Sequence, residues 1–355
     1  MLRLRTPLAL LVLTLLAGCL GRCGSDPVES PTPAPEVVTA APPPPTMQPK
    51  APTIDDHWDF EDLKGTQATF QALLDETNQM APDVDPDADL RALEITTQLA
   101  RTLGLQDDFD GANGLLDRVD KALATHKDQA SRFSTVRVRA HLERGRLIRS
   151  SGGAKEEARE QFVEAWELAR ATGQDGLAVD AAHMVAIVDR GTDGEMEWAL
   201  KGLQLAESSP QPHARAWRGS IYNNLGWTLH DKGDFAGALQ YFDKQIAARK
   251  EAGKEPALRI ALWTRARCLR SLKRHDEALA ELNALVKTYG AAATDDGFVH
   301  EEFGENLLAL GNEPKAKAAF TEAVRLLQTT WVAKDEPERL ARLRTLSGAP
   351  APKTP

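Results

Sequence analysis

Cysteine is nearly absent: Cys19, Cys23 and Cys268 are the three in 355 residues. So few thiols, so unevenly spaced, build neither a disulfide framework nor a paired zinc site. Tyrosine occurs 3 times and all aromatics together make up 6%. Valine and isoleucine are sparse beside alanine, leucine, arginine and glutamate, which favours helix over sheet. Positive charge is also in deficit. Lys and Arg number 43 against 52 Asp and Glu, a formal net charge of −9. That balance argues against a general nucleic-acid coat but leaves room for a local basic groove.

Catalytic signatures are missing too. His300-Glu-Glu-Phe-Gly304 lacks the second histidine of a zinc helix, and there is no Gly-rich phosphate loop and no Gly-x-Ser-x-Gly elbow. No catalytic role and no cofactor is expected. The eight histidines are scattered, and Cys268 falls within the apolar period of a helix, as a buried inert thiol would.

What is present begins with an export pattern. Arg3 and Arg5 precede an apolar run from Leu8 to Leu16, too short to cross a bilayer as a mature helix. The run ends in Leu16-Ala17-Gly18-Cys19, which resembles the bacterial lipobox. That resemblance implies removal of residues 1–18 and acylation of Cys19. The other reading is an ordinary secretory peptide cut near Gly18 or Gly21. Leu20 after the cysteine resembles the outer-membrane sorting pattern. The expected address is the bacterial cell envelope, anchored by lipid in the outer membrane, with the folded part periplasmic. Residues 19–53 then form a tether. Ten prolines lie between Gly24 and Pro52, and such a segment cannot bury enough surface to offset its ordering entropy. As polyproline II it would reach about 90 Å. It is a spacer or, alternatively, a ligand for a proline-reading partner.

The remainder is organised around Tyr222 to Phe242. Tyr222, Leu225, Gly226 and Leu229 fall at helical spacing and stop at Gly233. Phe235, Ala238, Leu239 and Phe242 start a second stripe. The alanine recurs as Ala112, Ala158, Ala199, Ala238, Ala278 and Ala316, with steps of 46, 41, 39, 40 and 38 residues. Small residues answer twelve positions earlier at Ala100, Gly226, Ala266 and Gly304. Gly145 and Ala186 fit only with one extra loop residue. This pattern resembles the tetratricopeptide repeat. The resemblance implies an all-α fold: a right-handed solenoid of about six helix-turn-helix repeats over residues 87–330. A capping helix and acidic loop (54–86) would precede it, and a capping helix (331–347) and a disordered tail (348–355) would follow.

Two candidate sites emerge. Asp83, Asp85, Asp87, Asp89 and Glu94 have the spacing of an EF-hand calcium loop. Ala88 stands where the turn wants glycine and Pro86 stiffens it, so the preferred reading is an acidic helix start. The second site rests on the family resemblance, which implies a concave groove lined by first helices. It would place Asn223, Trp227 and His230 from the fourth repeat there, with Trp263, Arg267 and Arg270 from the fifth and Glu301 and Glu305 from the sixth. Arg139, Arg146 and Arg149 share a face in the second repeat. The resemblance also matches Asn and Arg to the grip some members take on a peptide carboxylate. The expected partner is a protein or peptide segment, acidic or C-terminal, and the membrane through the lipid anchor. The competing reading pairs these arginines with glutamates across neighbouring helices and leaves the tryptophans as core. The expected function is a non-catalytic protein- or peptide-binding scaffold or assembly factor at the outer membrane. A regulatory sensor of a small peptide, an envelope enzyme with an unrecognised site and a spacer closed by its own chain are the alternatives.

Overall fold

The computed structural model describes residues 53–80, 85–253 and 255–348. Cys19, the export signal, the tether before residue 53, Asp83 and the tail beyond residue 348 lie outside the described residues. Among the described residues there is no strand, and twelve helices form six pairs, each joined by a turn of three or four residues. The pairs are α2 (Ala88–Gly104) with α3 (Phe109–Thr125), α4 (Ser134–Ser150) with α5 (Lys155–Ala171), and α6 (Asp175–Val188) with α7 (Asp193–Ser208). After the short α8 (Pro212–Ala216) come α9 (Arg218–Asp231) with α10 (Phe235–Glu251), then α11 (Glu255–Ser271) with α12 (His275–Tyr289). Another short helix, α13 (Ala291–Thr294), precedes α14 (Gly297–Ala309) with α15 (Glu313–Leu327). α1 (Leu63–Gln79) packs on α2 at one end. At the other, α16 (Val332–Asp335) leads to α17 (Pro337–Ser347), which packs on α15. The period near forty has two sources: first and second helices of up to 17 residues, and the added turns α8 and α13.

Local chemistry sets the helix starts. Asp62, Asp108 and Asp234 each accept a hydrogen bond from the backbone N–H three residues on, at Gly65, Gly111 and Gly237. Each carboxylate thereby satisfies an orphan donor and meets the positive end of the helix dipole. At Lys273 the turn between α11 and α12 has φ 60° on a non-glycine residue. The corresponding turn between α9 and α10 uses Gly233, with φ 84°.

Packing within each pair follows a size rule. Gly145, Gly226 and Gly304 sit against the rings of Phe162, Phe242 and Phe320. A Cβ on Gly145 or Gly304 would lie 2.6 Å from the facing ring, and one on Gly226 closer still. The other three pairs put alanine on the first helix and leucine on the second: Ala100 with Leu116, Ala186 with Leu203, and Ala266 with Leu282, all buried. Glycine–phenylalanine and alanine–leucine pairs alternate along the array. Each combination fills about the same space, as close packing requires.

The one-residue slip at Gly145 and Ala186 is explained by the turns. Gly152 and Gly153 lengthen the turn after α4, and α7 begins six residues before Ala199 instead of three.

Gly226→Ala is expected to lower stability by about 2 kcal/mol in urea unfolding, because the added methyl meets the Phe242 ring. Phe242→Leu in the same chain recreates the alanine–leucine pair and should recover at least half of that loss. A double variant as unstable as the sum of the two singles would refute the size rule.

Candidate functional site

The concave side of the array encloses a cavity of ≈ 560 Å³. Its wall runs from Arg101 on α2 to Arg339 on α17, and it falls within the usual range for ligand pockets. Trp217, Trp227, Trp263, Phe298 and Trp331 supply an aromatic lining. Trp263 donates its indole N–H to the Phe298 carbonyl at 3.1 Å, and Phe298 stacks on Trp331 at 6.1 Å. These contacts hold the rings in place.

A chain of side-chain amides crosses the wall. Gln245 Nε2 donates to Asn223 Oδ1 at 3.2 Å, and Asn223 Nδ2 donates to Asn224 Oδ1 at 3.4 Å. Asn224 Nδ2 lies 3.3 Å from His183 Nδ1. His183 is buried against Trp217, and burial pushes its pKa down to about 4, so the ring is neutral and Nδ1 accepts. Paired donors and acceptors in a row suit a peptide backbone, which offers the same groups.

The wall is also cationic. It carries eight Lys and Arg residues and three carboxylates, in a chain whose overall charge is −9. Some of these charges are compensated. Arg146 grips Asp180 at 2.6 Å and Glu143 at 2.5 Å, and Arg339 grips Glu301 at 2.6 Å. Arg101, Arg149 and Arg249 have no ion pair among the described residues. Arg101 lies over the rings of Trp58 and Phe60 at 4.9 and 5.5 Å, with its Nε buried and without an acceptor.

The structure gathers four of the eight proposed groove residues at the cavity: Asn223, Trp227, Trp263 and Arg267. The other four lie outside its lining. His230 is held by Ser271 Oγ at 2.8 Å, and burial lowers its pKa to about 4. Glu301 is taken by Arg339, and Glu305 by Arg342. Arg267 and Arg270 adopt the competing arrangement, paired with a glutamate on a neighbouring helix. Both guanidiniums converge on Glu302, at 2.9 and 2.7 Å, and that carboxylate is 1% exposed. The shared carboxylate joins the fifth repeat to the sixth and offsets one of the two positive charges. Arg139 is likewise committed, to Asp55 and Glu94.

The acidic segment is tied up as well. Asp85 pairs with Arg91, while Asp87 and Asp89 both pair with Arg132. Glu94 points away to Arg139. Asp87 occupies the cap position of α2 without a side-chain capping bond, but Asp89 accepts the Leu90 N–H at 2.8 Å and Asp85 the Asp87 N–H at 3.1 Å, so the acidic start of α2 combines backbone bonds with ion pairs. Among the described residues no group of three His, Cys, Asp or Glu is placed to hold a metal ion. Cys268 is buried with its thiol pushed up to about 11, mainly by desolvation, and it donates to the Phe235 carbonyl.

The first-helix count missed the second-helix residues at the cavity, among them Gln245 and Arg249 of α10. Both follow the apolar stripe of α10 in sequence, where a polar side chain reads as solvent-facing.

A tetratricopeptide repeat family model matches residues 217–291, a span that holds the wall residues of α9, α10 and α11. The search of curated proteins gave no match. Among solved structures, the chain is similar to a signal transduction ATPase with a tetratricopeptide repeat sensor from Pyrococcus horikoshii. The TM-score is 0.60 and the identity 13%, over 80% of this chain and 42% of that one, so this chain spans less than half of that protein. More distant similarity extends to the apo form of the quorum sensor NprR from B. thuringiensis (TM-score 0.49, 14% identity, 81% of this chain and 83% of that one). It extends also to a tetratricopeptide repeat protein from Parabacteroides merdae (TM-score 0.42, 14% identity, 83% and 97%). At these identities the likeness is one of fold: an all-α solenoid of the tetratricopeptide type.

His183 generates a pH prediction. Its pKa is lower in the folded state than in the unfolded chain, so the unfolded chain takes up the proton first as pH falls. The stability linked to His183 is complete above the unfolded value and declines toward pH 4. Between pH 7.5 and pH 5 the loss is about 2 kcal/mol from this group. Replacing His183 by Gln should flatten the pH dependence of urea unfolding by that amount. An unchanged slope would show that His183 is solvated and titrates normally.

Proposed function

We propose that the solenoid is a non-catalytic receptor for a peptide segment of acidic character. In this reading Cys19 and the proline-rich tether hold it at the outer membrane, where it works as a scaffold or assembly factor. The observation that carries the binding part is the composition of one wall: an amide chain for a backbone, fixed tryptophans for side chains, and an excess of cations. Buried tryptophan and arginine dominate binding energy in many interfaces. The anchoring part rests on the Leu16-Ala17-Gly18-Cys19 pattern.

A second reading is favoured by the way the cavity wall reaches from α2 to α17. A ligand touching both ends of the array would couple to its pitch, as in a regulatory sensor of a small peptide. Small-angle scattering separates the two: a change in radius of gyration on peptide binding supports the sensor, and an unchanged curve supports the scaffold.

Affinity selection of randomised hexapeptides on the full chain tests the receptor. Enrichment of Asp and Glu is expected, with at least tenfold weaker retention by Trp227→Ala, in line with a loss of about 1.4 kcal/mol or more at a binding hot spot. No enrichment, or equal retention by the variant, would overturn the receptor reading. The anchor is tested separately by expressing Cys19→Ala in bacteria. The protein should move from the membrane to the soluble fraction, and a variant that stays with the membrane would refute acylation at Cys19.

A further inference from the structure

The chain enters its folded part at the rim of the cavity. Before α1, residues 54–57 form a single 3-10 turn, and Trp58 and Phe60 follow it. Trp58 donates its indole N–H to Gln98 Oε1 of α2 at 3.0 Å, and its ring, stacked on Phe60, lies against Arg101 of the wall. Three residues earlier, Asp55 is held by Arg139 of α4 at 2.9 Å and lies 3.9 Å from His213 of α8. Arg139 comes four residues before Glu143, and His213 four residues before Trp217; both Glu143 and Trp217 line the cavity. Followed backwards from Trp58, the segment therefore passes from α2 to α4 and α8, toward the aromatic part of the wall. Asp56 accepts the Thr53 N–H at 2.7 Å, and Thr53 is extended, with φ −83° and ψ 164°. These angles are close to polyproline II.

The sequence before Thr53 has the chemistry for such a continuation. Residues 42–52 are Pro-Pro-Pro-Pro-Thr-Met-Gln-Pro-Lys-Ala-Pro, in which six of eleven are proline. A proline-rich segment is extended before it binds, loses little entropy on docking, and is recognised by grooves lined with aromatic rings. The cavity has that lining: Trp227, Trp263, Phe298 and Trp331 are half-buried, so each keeps part of its ring open. The reach also matches. Pro42 to Pro45 lie eight to eleven residues before Thr53, about 25 to 35 Å as polyproline II. Packed helices are about 10 Å apart, so that length crosses α9, α11 and α14, which carry Trp227, Trp263 and Phe298. Between Gly24 and Pro52 the chain has three carboxylates and one lysine, a balance opposite in sign to that of the wall.

We propose that the proline-rich segment 42–52 docks in the cavity of its own chain, with Pro42 to Pro45 against Trp227, Trp263 and Phe298. The contacts of Asp55 and Trp58 at the rim aim the segment along the wall. A segment joined to its site by so short a link has an effective concentration on the order of millimolar. An outside peptide then gains the cavity only by displacing the tether. This regulatory part rests on the receptor reading; the docking itself does not. Residues 20–41 remain as the spacer from Cys19. Displacement would add the docked stretch to that spacer, which links occupancy of the cavity to the reach of the solenoid from its anchor.

The test replaces Met47 of the full chain by the photo-reactive residue p-benzoylphenylalanine and maps its cross-links by mass spectrometry after irradiation. Cross-links to α9 and α11 are expected, in the same yield at tenfold dilution. A second chain also carries Pro42→Gly, Pro43→Ser, Pro44→Gly and Pro45→Ser, changes that lie outside every helix. Its cross-links to the wall should fall at least tenfold. With Met47 restored, the glycine–serine chain should retain randomised acidic hexapeptides at least tenfold better than wild type does. Cross-links confined to residues outside the wall, or undiminished by the proline exchange, overturn the docking, and hexapeptide retention that still depends on Trp227 would leave the receptor standing. Cross-links lost on dilution show a segment seated in a neighbouring molecule and overturn the intramolecular assignment. Wall cross-links with equal hexapeptide retention by both chains overturn the regulatory part alone. Wall cross-links with hexapeptides retained by neither chain overturn the receptor, and regulation with it, and leave the docking standing.

Discussion

The close approach of the two helices in each pair is the constraint on which the rest depends. A ring or a leucine on the second helix occupies the space left by a missing side chain on the first. Gly226 under Phe242 and Ala266 beside Leu282 are two solutions of one volume equation. Because each combination fills about the same volume, each pair offers the next a comparable surface to stack on. Repetition of that step gives the solenoid its concave face.

Charge on that face serves two purposes. Some arginines join neighbouring repeats through buried carboxylates, as Arg146 does with Asp180 and as Arg267 and Arg270 do with Glu302. Such pairs contribute little net stability against an apolar alternative, but losing one partner is expensive, so they fix the register of one repeat on the next. Arg101, Arg149 and Arg249 have no carboxylate partner among the described residues. Their uncompensated charge is what distinguishes the cavity from the rest of an acidic protein. An acidic ligand would be drawn to the cavity by the local field although the whole molecule repels it.

The amide chain adds selectivity of another kind. Gln245, Asn223, Asn224 and His183 orient one another, so their free donors and acceptors are held ready before a ligand arrives. The neutrality of His183 belongs to this arrangement, because a protonated ring could not accept from Asn224. Preorganised polar groups reduce the ordering cost of binding.

The all-α architecture was legible in the sequence because it depends on local, periodic information. The recurring alanines, the glycine turns and the small residues twelve positions earlier are each read within forty residues. The wall residues Asn223, Trp227, Trp263 and Arg267 were reachable by the same count, since a first helix shows a regular face to the cavity. The charge balance was not. Whether Arg267 is free depends on Glu302, which is 35 residues away and on another repeat. Arg249 was out of reach for a similar reason: it enters the cavity from an outer helix through a gap that Gly219 leaves. Sequence alone determined the helices, their pairing and the small residues that pack them, since these follow from short-range volume and periodicity. Tertiary structure alone decided which charges are neutralised and which face the cavity, since Coulomb partners are chosen by distance in space and not along the chain.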